Sequence, residues 1–202
     1  MYGVTIAGIG PGNPDYLTME VKKAIEEAEH IIAFGRAGES LKSLEKEFIN
    51  VKKVDEVIDY IDKHENVLLL ASGDPCFYGI TDFLKAKSIT VERILPGLSS
   101  FQYMMTKLKK SWQGAQFLSL HGRKEDLEKV KNNRLSIILT DAQNTPSQIS
   151  QRLKALGAKG RVYAGYNLSY DDESIIEAEI GKKIEDISPL AVVVVEYEMD
   201  QG

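Results

Sequence analysis

Residues 3–18 read Gly-Val-Thr-Ile-Ala-Gly-Ile-Gly-Pro-Gly-Asn-Pro-Asp-Tyr-Leu-Thr, and this stretch decides the fold. Val4 to Ile9 is a short apolar run bounded by glycines, the pattern of a buried strand. Thr18 opens a helical pattern with Val21, Ala24, Ile25 and Ala28 on one face. The result is a strand, a glycine loop and a helix. A dinucleotide-binding loop needs a third glycine at position 13 and an acid near the end of the second strand. The chain has Asn13 there, and Phe34-Gly35-Arg36 where the acid belongs. Pro11 and Pro14 also remove two backbone N–H donors that a pyrophosphate would use. The loop therefore suits a ligand without phosphates, and an NAD-dependent oxidoreductase is disfavoured.

Working outward, strand-like runs at 4–9, 30–34, 67–72 and 89–95 alternate with helical stretches near 19–29, 36–47, 55–64, 78–86 and 99–108. Such alternation predicts an α/β fold with a largely parallel sheet covered on both faces. After Trp112-Gln113-Gly114 a second set follows: strand 115–120, helix 124–131, strand 135–140, helix 146–157, strand 161–166, and strands near 174–180 and 190–197. Two α/β domains are expected, 1–112 and 113–202, with mostly parallel sheets. The second helix of the later set carries its own punctuation. Thr145 caps it, Pro146 takes the first helical position and Gly157 stops it.

A chain of 202 residues buries roughly 70% of the surface its unfolded form exposes, enough for a full core. With 25 basic against 30 acidic residues the net charge is −5, so the nonspecific attraction that drives nucleic-acid binding is weak. Cys76 is the sole cysteine, and His30, His64 and His121 are scattered without zinc-ligand spacing. A metal-free, cytoplasmic protein is expected. The apolar runs are strand-sized, well short of the roughly 20 residues of a membrane span, and no signal-peptide pattern opens the chain.

Three strand-to-helix loops fall at strand ends, where ligands bind in open α/β sheets. The first spans 10–14. The second, Gly73-Asp74-Pro75-Cys76-Phe77-Tyr78-Gly79, follows the apolar run Val67 to Leu70. Gly-Asp-Pro is also ordinary turn chemistry. The third is Gly97-Leu98-Ser99-Ser100-Phe101-Gln102, in which Ser99 could serve only as a helix cap. In the second half, Ser119-Leu120-His121-Gly122-Arg123 forms another such turn, with Arg123 offering a planar fork of donors for carboxylates. A lone histidine is more often satisfied by a backbone partner than functional. Lys107, Lys109 and Lys110 read best as a solvated helix end, and the acids of 166–173 as a solvated turn.

These loops together resemble the tetrapyrrole methylase family of S-adenosylmethionine-dependent methyltransferases, over essentially the whole chain. The opening Gly8-x-Gly10-Pro11-Gly12-x-Pro14-x-x-Leu17-Thr18 is similar to the whole superfamily. Ser72-Gly73-Asp74-Pro75 with Phe77-Tyr78-Gly79-Ile80, Pro96 to Gln102, Ser119 to Arg123, Leu139-Thr140-Asp141, Asn144-Thr145-Pro146 and Asn167-Leu168-Ser169-Tyr170 resemble one branch. That branch methylates carbon 5 of precorrin-7 or cobalt-precorrin-7 in cobalamin biosynthesis. Tyr166 stands where the branch usually has Glu, and Asp171 where it usually has Pro.

The resemblance implies a cofactor cleft between two α/β domains. It assigns cofactor contacts to Pro11, Gly73, Asp74, Phe77, Tyr78, Ser99, Ser100, Phe101, Leu120, Asn167 and Leu168. It implies a polyanionic tetrapyrrole substrate, for which Arg36, His121 and Arg123 are the candidate contacts, and His121 is also the candidate general base. A homodimer is expected on the same ground. The chain ends at Gly202 without the additional domain of resembling fused proteins, so decarboxylating methylation at carbon 15 is expected from a separate protein. The rival within the superfamily is a ribosomal RNA methyltransferase, which the net charge of −5 disfavours. A non-catalytic ligand sensor that keeps the cleft is the third reading.

Overall fold

The structure is a computed structural model and describes residues 3–35, 37, 38 and 46–199. The chain divides into two compact units, Met1–Ser100 and Phe101–Gly202.

The first unit is built on strands β1 (Val4–Gly8), β2 (His30–Phe34), β3 (Ile49–Val51), β4 (Val67–Ala71) and β5 (Val91–Leu95). All their pairings are parallel, in the order β3-β2-β4-β1-β5. Alternate strand residues serve opposite cores. Val67, Leu69 and Ala71 pack with Val57 and Ile61 of α2 (Val54–Ile61) and Leu84 of α3 (Thr81–Ala86). Leu68 and Leu70 pack instead with Val21 and Ile25 of α1 (Met19–Glu27). A strand buried on both faces has no polar positions to spare, which is why Val67 to Leu70 reads as an unbroken apolar run. α1 starts where expected because the Thr18 hydroxyl accepts the Val21 N–H at 3.2 Å.

One part of the sequence reading needs adjustment here. β3 was not foreseen, because its three residues include exposed Ile49 and Asn50 and leave no periodicity to read. The helix expected over 36–47 lies largely outside the described residues.

The second unit carries α4 (Ser100–Leu108), which starts on the last residue of the first unit, then β6 (Gln116–Ser119), β7 (Leu135–Leu139), α5 (Pro146–Ala155), β8 (Gly160–Tyr166), β9 (Ser174–Glu179) and β10 (Ala191–Tyr197). Its sheet order is β6-β7-β10-β8-β9. It is less parallel than expected. Only β6 and β7 run parallel, while β10 is antiparallel to both β7 and β8, and β8 to β9. β8 and β9 form a hairpin through a turn with Asn167 and Ser169 at positive φ, and β10 inserts between β7 and β8 antiparallel to both. One face of this sheet is covered by Ile149 and Leu153 of α5 with Leu127 and Val130. Those last two belong to a 3-10 helix, Leu127–Asn132, in place of the α-helix expected at 124–131. Its first turn is set by Asp126, whose carboxylate accepts the Glu128 N–H at 2.9 Å. On α5 the expected punctuation is all present: Thr145 accepts the Gln148 N–H at 3.3 Å, Pro146 sits at the first turn and Gly157 has φ +77°.

Candidate functional site

In the first unit the loops after β1, β4 and β5 leave three neighbouring strands at the same sheet edge and meet backbone against backbone. A Cβ on Gly8 would lie 2.6 Å from both the Gly73 carbonyl oxygen and the Gly97 nitrogen. One on Gly97 would lie 2.1 Å from the same carbonyl. Gly10 and Gly73 form a two-way bridge, with the Gly73 N–H donating to the Gly10 carbonyl at 2.8 Å and the Gly10 N–H returning at 3.4 Å. Both glycines have positive φ, +76° and +66°, so this bridge uses the conformation that glycine adopts without strain. These glycines are a contact surface, not flexible hinges.

The candidate residues of the first unit lie on or beside these loops, and Phe101 follows at the start of the second unit. Pro11 is half-buried next to the bridge. Asp74 is half-buried, and its Oδ1 accepts the Cys76 N–H at 2.8 Å, so the turn role is real. Phe77 and Tyr78 pack edge to face, with centroids 5.0 Å apart. Ser99 is buried, Ser100 opens α4, and Phe101 is buried against Phe117 at 4.9 Å and Trp112 at 5.4 Å. Arg36 lies outside the described residues.

The first loop does not run straight into a helix N-terminus. It passes through a 3-10 turn, Pro14–Tyr16, set by Asn13 accepting the Asp15 N–H at 2.9 Å, before α1 begins with a donor already taken by Thr18. This turn separates the glycine loop from the start of α1, and one of the N–H groups that a dinucleotide fold turns towards its phosphates is taken by Thr18.

In the second unit β6, β7 and β8 point the same way, so the turns after Ser119, Leu139 and Tyr166 share one edge of the sheet. Leu120 is buried, and its N–H donates to the Leu139 carbonyl at 2.9 Å. His121 and Arg123 are exposed, and His121 Nδ1 lies 3.0 Å from the Thr140 carbonyl oxygen. Asn167 donates its side-chain amide to Asp172 at 2.8 Å, and its N–H to the Leu190 carbonyl at 3.0 Å. Leu168 is buried, close to Gly165. Tyr166 is fully buried, with its hydroxyl 3.4 Å from Asp186, and burial followed by that carboxylate pushes its phenol pKa up.

Two residues outside the candidate set organise this edge. Asp141 Oδ2 accepts the Gly122 N–H at 3.1 Å, while Oδ1 accepts the N–H groups of Gln143 at 2.9 Å and Asn144 at 2.7 Å and the Asn144 side chain at 3.0 Å. Asn144 also reaches the Leu120 carbonyl at 3.3 Å and receives Arg152 at 3.1 Å. Burial acts to raise the Asp141 pKa, but the donors from Gly122, Asn144 and Gln143 outweigh it and hold the carboxyl at about 2. The visible signal for this hub is Asp-x-x-Asn directly after an apolar strand, an Asx-turn pattern.

The Asp141 carboxyl has a folded pKa below its ordinary value of 3.8, so its stabilising contribution is complete above that value and disappears as pH falls through about 2. Urea unfolding of wild type and Asp141→Asn is expected to give a stability gap at pH 5 that narrows towards pH 2. A gap independent of pH would contradict the role of the charge.

The family model for the Tetrapyrrole (Corrin/Porphyrin) Methylases matches residues 3–183. The chain belongs to this family. Among its relatives, the probable cobalt-precorrin-7 C(5)-methyltransferase of Methanocaldococcus jannaschii is 32% identical over 190 residues, covering 85% of this chain and 87% of the relative. The crystal structure of the cobalamin biosynthesis precorrin-6Y methylase from Archaeoglobus fulgidus has a TM-score of 0.74 at 22% identity and covers 98% of this chain and 99% of that one. Uroporphyrin-III C-methyl transferase from Thermus thermophilus, solved with S-adenosyl homocysteine, has a TM-score of 0.78 at 21% identity, covering 96% of each chain. At those identities the two crystal structures establish the methylase fold.

Proposed function

We propose that this tetrapyrrole methylase transfers a methyl group from S-adenosylmethionine to carbon 5 of precorrin-7 or cobalt-precorrin-7. The observation that carries the reading is the similarity to the M. jannaschii C(5)-methyltransferase over most of both chains. Bound S-adenosylmethionine supplies an electrophilic methyl on a sulfonium whose leaving group is a neutral thioether. The protein's work is then mainly orientation.

The residues present fit such a cofactor. At Gly8 and Gly97 the backbone of the neighbouring segments leaves no room for a side chain, which holds the ends of β1, β4 and β5 tightly together, and Thr18 already takes one N–H of the first helix. In this reading Pro11, Gly73, Asp74, Phe77, Tyr78, Ser99, Ser100 and Phe101, with Leu120, Asn167 and Leu168, contact the cofactor. Asp74 is suited to a hydroxyl-bearing or cationic part of it. Arg123 and Arg36 meet the substrate carboxylates, because an acidic protein must place local cations to admit a polyanion, and His121 beside Arg123 is the candidate base. Calorimetry is expected to find binding of S-adenosylhomocysteine and none of NAD. The reverse result would overturn the reading.

Removing the Arg123 charge is expected to raise KM for the tetrapyrrole several-fold and leave cofactor affinity nearly unchanged. Added salt should act in the same direction more weakly, since exposed charges are screened over roughly 8–10 Å. Loss of cofactor binding in Arg123→Ala at unchanged KM would put this corner on the wrong ligand.

The family resemblance supports a homodimer, which light scattering checks. A cytoplasmic setting is supported by the lone, exposed, free Cys76, and no helix among the described residues is long and apolar enough to cross a membrane. In this reading decarboxylating methylation at carbon 15 belongs to a separate protein, because the M. jannaschii relative, named for carbon 5, is matched over 87% of its length.

A further inference from the structure

His121 Nδ1 lies 3.0 Å from the Thr140 carbonyl oxygen. A carbonyl can only accept, so in the neutral ring the proton sits on Nδ1 and the lone pair on Nε2. That choice of tautomer depends on the turn 120–123 keeping its place over the end of β7. The turn is tied there at both ends: the Leu120 carbonyl accepts from the Asn144 side chain at 3.3 Å, and the Gly122 N–H donates to Asp141 at 3.1 Å. Asn144 and Asp141 are themselves joined at 3.0 Å, and Thr140, whose carbonyl orients the ring, is anchored by its hydroxyl to the Ala191 carbonyl at 2.7 Å. The two ties flank His121 directly.

We infer that Asp141 and Asn144 are positioning residues that hold His121 with Nδ1–H on the Thr140 carbonyl and Nε2 as the proton acceptor of the methyl transfer. This deepens the proposed function and rests on it. Replacement of a ring hydrogen by methyl forms a carbon–carbon bond from a macrocycle electron pair, breaks the sulfur–methyl bond with its pair going to sulfur, and releases one proton. The His121 Nε2 lone pair takes that proton and passes it to solvent. No oxidant or further reactant is needed.

Asp141→Asn isolates the tie. In either orientation of the new amide, its NH2 group faces one of the donor sets, Gly122 on one side or Gln143 and Asn144 on the other. Asn144→Ala cuts the Leu120 link separately.

The test combines nitrogen-15 NMR of the histidine rings in the ligand-free protein with the pH dependence of methylation. In wild type, His121 is expected as the Nδ1–H tautomer, with kcat rising to a plateau as the ring loses its proton. His121→Gln should lose that limb. Asp141→Asn should keep S-adenosylhomocysteine affinity within about twofold, lower kcat at least tenfold and give mixed His121 tautomers. Asn144→Ala, which serves alone if Asp141→Asn does not fold, should do the same. An Nε2–H tautomer in wild type, or variants that melt earlier with unchanged kcat and pH limb, would overturn the inference. If wild type methylates no tetrapyrrole, the function reading fails, and the wild-type tautomer still decides the geometry.

Discussion

Gly97→Ala is expected to destabilise the first unit by about 3 kcal/mol, at the upper end of overpacking costs, and to abolish S-adenosylhomocysteine binding. The added Cβ would sit 2.1 Å from the Gly73 carbonyl oxygen and 2.6 Å from the Gly8 carbonyl carbon. Both are backbone atoms, one in the loop after β4 and one at the end of β1, so no side chain can swing away, and relief requires these segments to part. Gly35→Ala is the control. At φ +64° with nothing within 4 Å of its Cβ, it should cost about 1–2 kcal/mol of local strain and leave cofactor affinity unchanged. Urea unfolding and calorimetry on both variants check this. Equal losses in the two would mean that loop convergence contributes nothing beyond ordinary backbone strain.

Asp74→Ala is expected to weaken cofactor binding by about 1–3 kcal/mol, the usual loss when a charged hydrogen-bond partner is removed. It should also cost the fold a little, because the Asp74 carboxylate accepts the Cys76 N–H at 2.8 Å. Asp74→Asn separates the two roles. The amide oxygen can keep the turn, so melting should stay at the wild-type value while binding falls towards that of the alanine variant. If Asp74→Asn binds as wild type does, the carboxylate serves the turn alone.

The parallel sheet was legible because both of its faces are buried, and strands such as Val67 to Leu70 carry that fact as composition. The hairpin of β8 and β9 was less so: its turn carries Asn167 and Ser169 at positive φ, residue types that also occur in ordinary loops. Gly8 and Gly97 could be read as loop glycines, but the reason only glycine fits them is contact with Gly73 from another loop, which local sequence does not contain. Asp141 shows the same limit. Its turn with Gln143 and Asn144 is local and readable, whereas its bond to Gly122 exists only once β6 and β7 pair.

Mass spectrometry of the tetrapyrrole after incubation of the purified protein with isotope-labelled S-adenosylmethionine and cobalt-precorrin-7 or precorrin-7 tests the central claim most directly. One labelled methyl group is expected, on carbon 5, with no carbon dioxide released. A product unchanged in mass, methylated at another carbon, or carrying two methyl groups with loss of carbon dioxide would contradict it.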